Sequence, residues 1–216
     1  MPLLLLDIDG TLLRTRGAGR TALDHAFVRV HGWEDATEGV EIAGATDAGI
    51  LNDVGRRFGV VDHDAVREAY LQELARLLRE PGRAAPIEGV HAALPQLGAV
   101  AELALLTGNW RVGAALKLAA AGLPDFGLRG AFGDDSADRG ALVPVARERC
   151  GGWPVEEVVI LGDTPGDIAC ARAGGARVIV VETGFASASA LRSAGPDLQV
   201  ADLESGLDAV LALLTR

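Results

Sequence analysis

The sequence predicts an α/β protein, a doubly wound parallel sheet interrupted near its start by a small all-helical insertion. Three observations lead there. Leu3-Leu4-Leu5-Leu6 is an unbroken apolar run that ends abruptly in Asp7-Ile8-Asp9-Gly10, the pattern of a strand buried on both faces with a polar carboxyl end. From Pro86 onward short apolar runs alternate with helical stripes, which implies parallel strands joined by crossover helices. Between the two, residues 15–85 show helical periodicity and no convincing strand.

Within the insertion, Ala22, Leu23, Ala26, Phe27 and Val30 form one stripe, stopped by Gly32. Ile50, Leu51, Val54 and Phe58 form a second, stopped by Gly59. Val66, Ala69, Tyr70, Leu74, Leu77 and Leu78 form a third, stopped by Pro81-Gly82. The expected organisation is a sheet domain of residues 1–14 and 86–216 and a helical domain of residues 15–85. In the second part, a short helix through Val90, Ala93, Leu94 and Leu97 is weakened by Pro95 and precedes a strand from Val100 to Thr107. Helix 110–121, strand Arg129 to Gly133, helix 139–150, strand Val158 to Leu161, helix 165–173 and strand Val178 to Val181 follow. The tail reads as a helix near 187–193, a short strand Leu198 to Val200 and a helix over 203–214.

Composition narrows the function. With 216 residues, 49% of them hydrophobic, the chain has ample material for a core. A net charge of −10 argues against a protein that tracks nucleic acid or an anionic membrane. Cys150 and Cys170 offer no disulfide framework and fit a reducing cytosol. Leu3 to Leu6 is too short for a signal segment, and no apolar run reaches the ~18 residues of a membrane span. The expectation is a soluble cytoplasmic protein. His25, His31, His63 and His91 are isolated and show no ligand spacing.

Chemistry concentrates at three strand ends. Asp7 and Asp9 are two apart, so an extended backbone points both carboxylates the same way, and Gly10 lets the chain turn sharply away. Two adjacent carboxylates make sense around a cation, although Asp-Gly also closes ordinary turns. Thr107-Gly108-Asn109 lies between a strand and helix 110–121, where a hydroxyl and helix N–H groups seat a phosphate or simply cap the helix. Gly162-Asp163-Thr164-Pro165-Gly166-Asp167 is the third. Capping explains Thr164, Pro165 and Asp167 but leaves Asp163 free to complete an oxygen cage for Mg²⁺. Ligands of open α/β sheets bind outside these carboxyl ends.

The string Asp7-Ile8-Asp9-Gly10-Thr11-Leu12, followed in order by Thr107-Gly108-Asn109 and Gly162-Asp163, resembles the haloacid dehalogenase-like hydrolases. The insertion resembles the helical cap of their phosphoglycolate phosphatase-like branch, and Gly44-Ala45-Thr46-Asp47 resembles a recurrent stretch of that cap. The resemblance implies a Rossmann-like sheet of strand order 5-4-1-2-3. It also implies that Asp7 is the nucleophile and Asp9 the general acid and base, and that Thr107, Gly108 and Asn109 bind phosphate. Mg²⁺ would be held by Asp7, the carbonyl of Asp9 and Asp163, with Asp167 in support.

The sequence departs from the family where a lysine is expected after the third strand. Asp134-Asp135-Ser136-Ala137-Asp138-Arg139 holds only Arg139, which takes phosphate bidentately. The sole lysine, Lys117, lies two turns into its helix, roughly 12 Å past the N-terminus at 1.5 Å per residue. It is expected to point elsewhere, leaving Arg139 to hold nucleophile and phosphate. The function implied is a Mg²⁺-dependent phosphatase of a small phosphorylated metabolite. The alternatives are a phosphoglucomutase-type phosphotransferase, which would keep the same acids, and an idle binding module on the same fold. Arg14, Arg16, Arg20 and the loop around Thr46 are the candidate substrate selectors.

Overall fold

The computed structural model describes residues 1–216. Strand β1 (Leu3–Leu6) is wholly buried, as its four leucines require. It pairs in parallel with β4 (Glu102–Leu106) on one side and β6 (Val158–Gly162) on the other. Beyond β4 lies β5 (Gly130–Ala131), and beyond β6 lie β7 (Arg177–Val181) and β8 (Leu198–Val200), all parallel. The order β5-β4-β1-β6-β7-β8 is the expected one with a sixth strand added at one edge.

Alternation along β1 builds two cores. Leu4 and Leu6 pack under α4 (Val90–Val100), α5 (Arg111–Ala120) and α9 (Leu207–Leu214). Leu3 and Leu5 pack under α6 (Leu142–Arg149), α7 (Pro165–Gly174) and α8 (Ala188–Ala194). Each face buries its own apolar set because side-chain direction alternates with a period of two.

A third core belongs to the insertion, where α1 (Ala18–His31), α2 (Asp47–Phe58) and α3 (His63–Leu77) bury Phe27, Leu51, Tyr70 and Leu74. Trp110, which precedes α5, joins this cluster rather than the sheet cores. Where the chain leaves for the insertion and returns, Leu13–Arg14 (β2) and Ala85–Pro86 (β3) pair as an antiparallel ribbon, a pairing too short to read from periodicity. No helix is long and apolar enough to cross a membrane.

Two boundaries differ from expectation. Helix α4 runs through Pro95 to Val100, so β4 starts only at Glu102. Pro95 is exposed, as is His91, whose carbonyl loses its helical donor, so the proline is tolerable here. Strand β5 shrinks to two residues, Gly130 and Ala131. Gly130 has φ +121°, and a Cβ there would stand 1.8 Å from the Leu105 carbonyl oxygen. Gly130→Ala is therefore expected to destabilise the protein by ~2 kcal/mol or more. Urea unfolding of the purified variant checks this, and an unchanged midpoint would show that β5 relaxes freely.

Candidate active site

The carboxyl end of β1 delivers the first acid. The Asp7 N–H donates to the Leu161 carbonyl at 2.9 Å, locking the tip of β1 to β6, and the Asp7 side chain is buried. Gly10 turns the chain at φ +85°, and a Cβ there would lie 2.4 Å from Asp163 Oδ2. Only glycine allows so close a pass. The Thr11 hydroxyl then donates to Asp163 Oδ1 at 3.3 Å, and the Phe185 N–H donates to Asp163 Oδ2 at 3.1 Å.

The start of α7 delivers Asp167. Thr164 caps the helix and Asp167 closes a capping box with it. Asp167 Oδ2 accepts from the Thr164 hydroxyl at 2.7 Å, the Thr164 N–H at 3.0 Å and the Asp163 N–H at 3.2 Å. Its other oxygen pairs with Arg139, whose Nη2 is also 3.1 Å from Asp7 Oδ1. Capping and site-building are thus done by one carboxylate.

Carboxylate oxygens of Asp7, Asp163 and Asp167 lie within 4.8 Å of one another. Against three acids stands one guanidinium, that of Arg139. Burial pushes Asp7 up to about 7, with Arg139 holding it back and Asp167 and Asp9 pushing further. Burial, together with Asp7 and Asp167, pushes Asp163 up to about 8. Burial works against the charge of Arg139, but Asp167 and Asp7 outweigh it and hold its pKa above the ordinary value. A cluster of hard oxygen donors with this unbalanced negative charge fits a divalent cation.

The other half of the site assembles around Asp9. Asn109 Nδ2 donates to Asp9 Oδ2 and to the Thr107 hydroxyl, both at 2.8 Å. Lys117 Nζ lies 2.6 Å from Asp9 Oδ2 and 2.6 Å from Asn109 Oδ1, and is buried. The expectation that Lys117 points away is wrong. Axial rise alone misleads because helical side chains tilt toward the N-terminus. Gly19 of the insertion leaves room for the ammonium, since a Cβ there would already lie 3.5 Å from Lys117 Nζ. The signal lay in composition, since the one lysine among 20 basic residues sits in the site. Arg139 does reach Asp7, as expected, so two cations serve two different acids.

These groups open onto a cavity of about 510 Å³ whose far wall comes from the insertion, including Leu23, Ile42, Ile50, Tyr70 and Arg16. Of the three arginines at the start of the insertion, Arg14 donates to the Thr183 carbonyl and Arg20 to the carbonyl and hydroxyl of Thr37. Arg16 also lines the cavity, from a left-handed backbone of φ +47°. The insertion is pressed onto the Thr107-Gly108-Asn109 loop: a Cβ on Gly108 would stand 1.9 Å from the Ala45 carbonyl oxygen. Thr46 Oγ1 donates to the Ala137 carbonyl at 2.7 Å, and the Asp47 carboxylate accepts from the Trp110 N–H at 2.8 Å. The sequence marked Gly44 to Asp47 as a motif without showing what it touches.

The raised pKa values of Asp7 and Asp163 have a stability consequence. A carboxyl whose folded pKa exceeds its unfolded one binds its proton more tightly when folded. Its stabilising contribution is therefore lost as pH rises from the unfolded to the folded value. In EDTA, stability is expected to fall by several kcal/mol from about pH 5 to pH 8. Mg²⁺ should restore it most at the higher pH. Thermal melts across that range check both halves; a flat profile in EDTA with no Mg²⁺ response would count against a cation site here.

A sequence profile described as HAD-hydrolase-like, that is haloacid dehalogenase-like, matches residues 133–205. No curated protein matches the chain. Among solved structures, a hydrolase from Pseudomonas syringae is similar over 97% of this chain and 98% of its own, with a TM-score of 0.75 and 20% identity. CbbY from Rhodobacter sphaeroides, in complex with phosphate, is similar over 95% and 96%, with a TM-score of 0.77 and 20% identity. A predicted phosphatase from Clostridium acetobutylicum is similar over 98% of both chains, with a TM-score of 0.72 and 17% identity. At these identities the likeness is one of fold, and it spans the helical insertion as well as the sheet. Over the whole chain the likeness is therefore one of fold, and the haloacid dehalogenase-like sequence profile matches residues 133–205 of it.

Proposed function

We propose that the chain is a Mg²⁺-dependent phosphatase that hydrolyses a small phosphorylated metabolite through an aspartyl-phosphate on Asp7. It would resemble phosphoglycolate phosphatases in using residues 15–85 as a cap over the site. The observation that carries the reading is the separation of two neighbouring acids by their partners. Asp7 stands with Asp163 and Arg139, whereas Asp9 is turned to Lys117 and Asn109. Two carboxylates held in different environments suit two different tasks.

In this scheme an oxygen of Asp7 attacks phosphorus and the bond from phosphorus to the ester oxygen breaks. Asp9 gives its proton to the departing alkoxide. Asp9 then takes a proton from water as that water attacks the phosphorus of the aspartyl-phosphate, which regenerates Asp7 and releases phosphate. Splitting the displacement in two lowers each barrier. Thr107, Gly108 and Asn109 would seat the phosphoryl oxygens at the head of α5. Arg139 would orient Asp7, with Asp167 holding Arg139 in place. Lys117 would offset charge on the phosphoryl group beside Asp9. Asp7, Asp163 and the Asp9 carbonyl would hold Mg²⁺, supported by Asp167. The ion would supply Lewis-acid offset of the repulsion between carboxylate and phosphate dianion. The cavity volume of about 510 Å³ suits a metabolite rather than a phosphoprotein. CbbY, of the same fold, is described with phosphate and, as a mutant, with xylulose-(1,5)bisphosphate, which supports a phosphorylated small molecule. With both cysteines buried and unpaired, a reducing cytosol is the setting we assign.

Release of phosphate from p-nitrophenyl phosphate with Mg²⁺, abolished by EDTA, is the first test. Asp7→Asn is expected to lower turnover by at least ~10³-fold with the fold intact; near-normal turnover would sink the covalent mechanism. Lys117→Met is expected to cost ~10²-fold or more in kcat, as for one lost preorganised donor. A Lys117→Met enzyme with normal kcat would leave Arg139 as the sole functional cation.

A further inference from the structure

Helix α5 carries Lys117 but supplies no cap of its own. Its N-cap residue is Trp110, whose side chain makes no capping bond, and its first turn holds no acid. The missing acceptors come from elsewhere. Asp134 accepts from the Arg111 N–H. Asp47, the first residue of α2 in the cap, accepts from the Trp110 N–H at 2.8 Å. A second bond runs from the same residue to the loop before the helix, where the Asp47 N–H donates to the Gly108 carbonyl at 2.8 Å. The Trp110 ring is seated by the cap too, edge-on to Tyr70 at 5.3 Å between centroids and with the Arg67 guanidinium 5.6 Å above it. The amino end of the helix that aims Lys117 at Asp9 is thus held by cap residues through both backbone and side chain.

We infer that Asp47 is a positioning residue: by capping α5 from the cap, it fixes the helix that presents Lys117 to Asp9, so cap docking sets the catalytic cation. The inference rests on the proposed phosphatase reading for its kinetic consequence, but its structural content stands apart from turnover. The carboxylate places negative charge at the positive end of α5 and fills an orphan N–H. Without it, α5 keeps only the Asp134 bond, and its first turn frays. Lys117 lies less than two turns further on, where a shift of about 1 Å is enough to cost up to ~10²-fold in rate.

The test compares Asp47→Ala with Asp47→Asn, since an amide oxygen still accepts from the Trp110 N–H. Turnover of p-nitrophenyl phosphate with Mg²⁺ should fall ~10- to 100-fold in kcat for Asp47→Ala, with KM nearly unchanged. Asp47→Asn should recover most of it. Lys117 is the only lysine, so protein labelled with ¹⁵N at the lysine side chain gives a single Nζ signal from this contact. That signal should move toward an exposed lysine in Asp47→Ala and stay put in Asp47→Asn. An unchanged Lys117 signal in folded Asp47→Ala overturns the inference, even if turnover falls. Equal loss in both variants also overturns it and would make the Asp47 charge a direct substrate contact. Absence of phosphatase activity in the unaltered protein would refute the proposed function instead, while the Nζ signal still decides the role of Asp47.

Discussion

Three buried carboxylates converge at the carboxyl edge of a parallel sheet, and much of the chain is arranged to make that concentration of negative charge tolerable. Asp7, Asp163 and Asp167 come from two adjacent strand ends and the helix that follows one of them. Burying one unpaired carboxylate is costly, and burying three side by side more so. The surroundings answer with directed donors: Arg139 between Asp7 and Asp167, a hydroxyl and two N–H groups on Asp167, and the Thr11 hydroxyl and Phe185 N–H on Asp163. Burial nevertheless pushes Asp7 up to about 7 and Asp163 up to about 8, so the donors leave negative charge uncompensated. Three hard oxygen donors with uncompensated charge fit a divalent cation.

The positive charges divide along the same line. Arg139 arrives on a short 3₁₀ turn after β5 and serves Asp7 and Asp167, where a planar fork bridges the two carboxylates. Lys117 arrives along α5 and serves Asp9, where a compact ammonium bonds a carboxylate and an amide oxygen at once. Neither cation replaces the other, because each is fixed by a different helix on a different face of the sheet.

The helical insertion is built into the site rather than laid over it. Its Gly44–Asp47 stretch runs between Gly108 and Gly166, and neither glycine has room for a Cβ on that side. Contact this close, made by backbone against backbone, couples the insertion to the Thr107-Gly108-Asn109 loop more tightly than an apolar lid would. It also explains why Trp110 packs with the insertion's core although it belongs to the sheet's connecting loop.

By itself the sequence determined the sheet, its doubly wound connections, the helical insertion and the acids at the strand ends. Those features are written in local patterns, namely apolar runs that stop at Asp or Thr and helical stripes that stop at Gly or Pro. The capping box of Thr164 and Asp167 was legible for the same reason, since all its partners lie within four residues. Contacts over long sequence separations were decided only by the tertiary structure. Lys117 meets Asp9 across 108 residues and Asp47 meets Trp110 across 63. Whether a helix points its lysine into a site depends on the tilt of that side chain and on what the fold packs beside it, here Gly19 of the insertion. Periodicity records which face a residue occupies, but not how far along that face its charge reaches.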